Sequence, residues 1–248
     1  MNIAIIVAMP EEFRAVVKCL GTVATRRLGI LKAGRCSCAG HQILLVESGM
    51  GFKNAAEAAE MVIRDRVPDL LISAGFCGGI AAELRVGDVV VAKKMVIVSE
   101  TGIEDLPTAI PAAGLNLVAR QSACGARIFG GTFAGTAVIT SKAKLVGMLS
   151  NGCPCPVVEM ESAAIALIAT ENRIPLLAIR SVSDPVDEEL GFSLDEFCDS
   201  SLHIRPARVL LTILRKPRII PQLIRLAGNS RIAAKSLTAA LEKLLPLL

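Results

Sequence analysis

Apolar and polar positions fall into blocks along the chain that repeat with two different periods. The β-branched runs NIAIIVA, HQILLVE, DLLISAG, VGDVVVAKKMVIV and ARIFGGTFAGTAVIT read as strands, and a further apolar strand ends at Asp184. Between them, PEEFRAVVKCL, FKNAAEAAEMVIRDR, SKAKLVGML and SAAIALIATEN carry helical spacing, the first opened by Pro10 at a first-turn position. SLDE at 193–196 is a capping box that opens one more helix. This alternation predicts an α/β fold of three layers, a mixed, mostly parallel twisted sheet with helices on both faces. Ligands of such sheets sit at the carboxyl ends of strands. SGMG at 48–51, FCGG at 76–79 and SVSD at 181–184 read as turns at such ends. A boundary near 203–206 divides a body, 1–204, from a helical extension, 205–248, broken at Pro217 and Gly228.

Composition supports the buried sheet. Apolar residues make up 52% of the 248, charged ones 20% and aromatics only 3%. No apolar run reaches the ~18 residues a membrane-spanning helix needs. The N-terminus, MNIAIIVAMPEE, has acids directly after its apolar run and no basic leader, so it reads as the first strand of a cytoplasmic protein. The 8 cysteines include no CxxC, and with two histidines there is no zinc spacing. They are expected to be reduced and mostly buried, and neither a metal nor an organic cofactor is expected. The net charge of +4 is unevenly spread, because 205–248 hold nine basic residues against the single acid Glu242. Such a basic, apolar segment suits either packing on the body or contact with an anionic membrane surface. Without aromatics to stack on bases it does not suit nucleic acid.

The chemistry is concentrated in VVEMESAAIALIATENRIPLLAIRSVSD, which begins at Val157. Glu159 and Glu161 stand where a strand gives way to a helix, and Asp184 stands where the next strand ends. Burying an unpaired carboxylate is costly, so three acids at the rim of a core imply a task. Taken alone, acids at such junctions serve equally well as helix caps.

Read together and in order, Glu12 in AMPEE, SGMG, AGFCGG at 74–79 with VGD at 86–88, VEMES at 158–162 and RSVSD at 180–184 resemble the nucleoside phosphorylase and nucleosidase superfamily. The likeness is greatest to the methylthioadenosine/S-adenosylhomocysteine nucleosidases and covers roughly residues 1–203. It implies cleavage of the bond between ribose and adenine through an oxocarbenium-like sugar. In that reading Glu12 orients and deprotonates the attacking water, and Glu161 binds the ribose hydroxyls. Asp184 donates a proton to N7 of the purine, which calls for a pKa raised by burial. Met160 packs against the sugar, Met50 lines the pocket of the 5′ substituent, and Ser183 helps hold the base or Asp184. Glu159 lies beside the substrate or behind Glu161 as support. The resemblance also implies a homodimer acting on a small nucleoside.

This sequence departs from the family at several points. Val138 stands where the family carries an aromatic that stacks on adenine, while Ile139 still offers backbone groups to the base edge. Phe76 replaces a small polar residue beside the sugar. The segment 99–120 is shorter than its counterpart, which leaves room for a bulky 5′ group. An open pocket with a basic apolar tail resembles the hopanoid-associated members of the superfamily, which remove adenine from an adenosylated lipid. Phosphorylases of this superfamily hold phosphate with an early Gly-Asp-Pro-x-x-Arg loop and a mid-chain Arg and Ser. Here AMPEE occupies the first place and Ser73 and Phe76 the second, so water is the expected nucleophile. The alternatives are a phosphate-dependent phosphorylase and a non-catalytic nucleoside- or lipid-binding protein.

Overall fold

A computed structural model of the protein describes residues 1–99, 101–107, 111–123, 125–136, 140–149, 152–187, 212 and 215–248. Val138, Ile139 and the capping box at 193–196 lie outside the described residues. The chain runs β1 (Asn2–Val7), α1 (Pro10–Leu20), β2 (Ala24–Leu28), β3 (Leu31–Cys38), β4 (His41–Glu47), α2 (Phe52–Asp65), β5 (Leu70–Gly79), β6 (Val89–Ser99), β7 (Gly102–Leu106) and α3 (Ala112–Ala119). It continues with β8 (Ser122–Ala123), β9 (Ala126–Thr136), α4 (Lys142–Leu149), β10 (Val157–Glu159), α5 (Ser162–Glu171), β11 (Leu176–Asp184) and α6 (Ile220–Leu244).

The strands form one mixed sheet in the order β10-β9-β6-β11-β5-β1-β4-β3-β2, with β7 beside β6. It is parallel through its centre, where β1 pairs with β4 and β5, and β5 with β11. It is antiparallel in the hairpins β2–β3–β4 and β6–β7 and where β6 meets β11. Because β10 pairs with both β9 and β5, the strands β5, β11, β6, β9 and β10 close into a small barrel.

The strands are apolar on both faces because both faces are covered. In β1, Ile3, Ile5 and Val7 pack beneath α1 and α6, while Ala4 and Ile6 pack beneath α2 and α5. α4 covers the barrel with Leu145 and Leu149.

Three expectations need correcting. FCGG and SVSD are not turns, since β5 continues to Gly79 and β11 to Asp184, each held by the other. Gly78 permits this, because a Cβ there would lie 3.0 Å from both Asp184 Oδ2 and Val158 Cγ1. α6 runs unbroken through Gly228: a glycine costs about 1 kcal/mol in a helix, offset here by burial of Ala233, Leu237, Ala240, Leu241 and Leu244 against the body. Pro221 sits in its first turn, where a missing N–H is harmless. Finally, of the described cysteines only Cys77 is buried, and Cys19, Cys36, Cys38, Cys153 and Cys155, free thiols like it, are half-buried. No helix among the described residues is long and apolar enough to cross a membrane.

Candidate active site

The carboxyl ends of β5, β10 and β11, the start of α1 and the start of α5 converge; all but β5 deliver an acid, and β5 delivers a backbone N–H. Pro10 fixes the first turn of α1 and so aims Glu12 back at the chain before it. Glu12 Oε2 accepts the backbone N–H groups of Ala8 and Met9, at 2.8 and 2.9 Å. Oε1 accepts the N–H of Phe76 at 2.7 Å, which ties the helix to β5. Gly75 leaves the space, since a Cβ there would lie 2.5 Å from Oε1. One lone pair of Oε1 remains for a further donor. Phe76 therefore supplies its backbone, and its ring is buried.

Beside Glu12 lies Arg180, 2% exposed, in the middle of β11. Its Nη2 donates to Glu159 Oε2 at 2.9 Å and to Ser73 Oγ at 3.1 Å, and stands 3.7 Å from Glu161 Oε2. Glu159 is sealed behind the others. The same Oε2 also accepts the N–H groups of Glu161 and Ser162, at 3.0 and 2.6 Å, where α5 begins. Glu161 instead reaches across to the turn after β4, accepting the N–H of Gly51 at 2.8 Å. Met50 in that turn and Met160 beside Glu161 are both half-buried and keep apolar surface accessible.

Asp184 sits four residues further along β11, against three on β5. Arg180 is registered with Gly75 and Asp184 with Gly78, and a register shift intervenes after Val182, the kind of irregularity that re-aims a side chain. Three residues of strand separate the two anchor points by about 10 Å. Ser183 donates to Asp184 Oδ1 at 2.6 Å, and Lys142, the first residue of α4, pairs with Oδ2 at 2.6 Å. The structure thus brings together Glu12, Phe76, Glu159, Glu161, Ser183 and Asp184, with Met50 and Met160 alongside.

The sequence reading gave no role to Arg180 or Lys142. For Arg180 a signal was present: a charged residue inside the apolar strand LLAIRSV must be paired in the core. Lys142 had none, because SKAK looks like any solvated helix start.

Burial governs the charges. It pushes the Glu12 carboxyl up, against the pull of Arg180 and of its three backbone donors. It pushes Glu161 up to about 7, helped by the repulsion of Glu159 and Glu12 and opposed by Arg180 and by the Gly51 N–H. At Arg180 burial works against the charge, and the three glutamates more than restore it.

The sign for Glu161 follows. Its folded pKa exceeds the unfolded value, so its contribution favours the folded state below about pH 4.5 and is lost as pH rises through about 7. Glu161→Gln keeps an acceptor for Gly51 and removes the charge. It is expected to leave stability nearly unchanged at pH 5 and to raise it by about 1–3 kcal/mol at pH 8, read from urea unfolding. Equal stability at both pH values would contradict the burial of a charge at this position.

An apolar trough of about 620 Å³ is lined by Pro107, Ala166, Ala169, Ile174 and Leu176, towards the far end of α5 from these acids.

Comparison with known proteins adds two findings. Residues 2–215 match a family model described as the phosphorylase superfamily. The fold matches the 5′-methylthioadenosine/S-adenosylhomocysteine nucleosidase of Neisseria meningitidis, solved with methylthio-immucillin-A, at 22% identity and a TM-score of 0.74, over 100% of this chain and 99% of that one. The corresponding nucleosidase of Colwellia psychrerythraea, solved with adenine, matches at 20% identity and 0.75, over 100% and 96%. The futalosine hydrolase of Helicobacter pylori matches at 16% and 0.74, over 100% and 98%.

Proposed function

Because the chain belongs to the phosphorylase superfamily, we propose that it is a nucleosidase, which hydrolyses the N-glycosidic bond of an adenine nucleoside carrying a large 5′ substituent. The observation that carries this reading is the charge balance at the convergence of α1, α5, β5 and β11. Two buried carboxylates, Glu12 and Glu159, and the half-buried Glu161 surround Arg180, whose Nη2 is already held by Glu159. Such a site attracts a developing sugar cation and repels a phosphate dianion, so water is the nucleophile it suits.

The roles follow from position. Glu161, held by Gly51 and facing the Ser48 turn, binds the ribose hydroxyls. Glu12 takes a proton from the attacking water through the free lone pair of Oε1. About 10 Å along the strands, a span that suits a base joined to its sugar, Asp184 protonates the leaving purine. Met160 packs against the sugar, and Met50 offers apolar surface that a 5′ substituent would cover. The segment 99–120, shorter in sequence than its counterpart in the family, favours a large one.

The experiment is chromatography of the free base released from methylthioadenosine, S-adenosylhomocysteine and an adenosine with a long 5′ alkyl chain, each with and without phosphate. Release without phosphate, fastest from the long-chain substrate, is expected. Release only with phosphate, giving a sugar phosphate, would make the protein a phosphorylase. Binding without release would leave a nucleoside-binding protein.

A further inference from the structure

We propose that Lys142 is a positioning residue for this reaction, which holds Asp184 in place and returns to it the proton that the leaving base takes. The proposal rests on the nucleosidase reading and adds to it a source for the base's proton.

The geometry is specific. Lys142 Nζ lies 2.6 Å from Asp184 Oδ2, and it donates to the backbone carbonyls of Asp184 and Pro185, at 3.0 and 2.6 Å. One ammonium therefore grips both the acid's side chain and the chain at the point where β11 ends. The lysine side chain is 11% exposed and that of Asp184 22%. From the other side Ser183 holds Oδ1, so the two carboxylate oxygens are fixed by different elements. Space for the pair comes from Gly78. A Cβ there would stand 3.0 Å from Asp184 Oδ2 and 3.2 Å from Lys142 Cε. α4 itself is anchored by Leu145 and Leu149 in the small core over the barrel, which keeps its first residue at this distance.

An acid that protonates a base must be recharged, and a half-buried ammonium one hydrogen bond away is placed to do it. As the bond between the sugar carbon and the base nitrogen breaks, its electron pair enters the base. The proton reaches N7 through the ion pair: Asp184 passes a proton to N7 as it takes one from Lys142 Nζ, which leaves the carboxylate and a neutral amine. The resulting neutral amine is reprotonated from solvent. At the other end, the hydroxide part of the water joins the sugar carbon, and its proton passes to Glu12 and then to solvent. Atoms and charge balance with nucleoside and water as the sole reactants.

Lys142→Met and Lys142→Arg test this, with turnover measured on the nucleoside of adenine and on that of 2-fluoroadenine, an electron-poor base that needs less help to leave. Lys142→Met is expected to lower kcat on the order of 10- to 100-fold for adenine, and by a clearly smaller factor for 2-fluoroadenine. Lys142→Arg keeps a cation but gives up no proton, so it is expected to show the same dependence on the leaving base. Equal losses with both bases would reduce Lys142 to a structural strut, and full activity of Lys142→Arg would remove the proton return; either overturns the proposal. A wild-type protein that releases neither base would overturn the nucleosidase reading, and this proposal with it.

Discussion

Replacing Arg180 with methionine is expected to destabilise the protein by about 3–5 kcal/mol at pH 8, read from urea unfolding, through the charges it leaves behind. Methionine fills much of the same volume, so the cavity term is small. What remains is Glu159, its side chain 1% exposed, with Glu161 and Glu12 near it and no cation among them. The deficit should shrink towards pH 5. There Glu12 and Glu161, whose carboxyls are already pushed up in the native protein, take up protons. Adding Glu159→Gln to the Arg180→Met background should restore part of the loss, because a neutral amide can still accept the N–H groups of Glu161 and Ser162. The two changes would then be far from additive, as expected for groups that share one network. A loss that is equal at pH 5 and pH 8 and unaffected by Glu159→Gln would show that Arg180 acts as packing alone.

The same cluster marks what could be read from the chain and what could not. Most helices and strands were legible because their apolar positions repeat at 3.6 or run unbroken, although α3 was missed. The hairpin Ala24–Cys38 was not, since its outer strand, ATRRL, is mostly polar and carries no apolar stripe. Glycines misled in both directions. FCGG looked like a turn, yet glycine was needed there for close approach, by Glu12 at Gly75 and by Asp184 at Gly78. Gly228 looked like a break, but the apolar positions after it determine the course of α6. Glu161 and Asp184 stood out because acids at strand ends need a reason, whereas Glu12 was named only through the motifs of the family resemblance. Arg180 lay inside one of those motifs and only its neighbours were used. Lys142 depends on a tertiary contact between residues far apart in sequence, a kind of information that local patterning does not hold.

Asp184→Asn is expected to lower kcat by about 10²- to 10⁴-fold on adenine nucleosides, the range removed with a general acid, while binding of a non-hydrolysable nucleoside changes little. The substitution isolates chemistry from structure better than its obvious counterpart at the other end of the site. Glu12 uses both oxygens to accept three backbone N–H groups. In Glu12→Gln the amide nitrogen must face either Phe76 or the pair Ala8 and Met9, donor against donor. Activity and stability would therefore fall together, with a buried N–H left unpaired at a cost of about 1–3 kcal/mol. Asp184 is less enclosed, and asparagine can still accept from Ser183 through its carbonyl oxygen. Lys142 loses one partner in that variant but keeps the carbonyls of Asp184 and Pro185, so the strand end stays anchored. The decisive comparison is kcat against inhibitor affinity in the same preparation of Asp184→Asn. A fall in kcat with affinity retained assigns the proton to Asp184. An Asp184→Asn protein as active as the wild type would mean that the leaving base gets its proton elsewhere, and the reading of β11 as the acid-bearing strand would go with it.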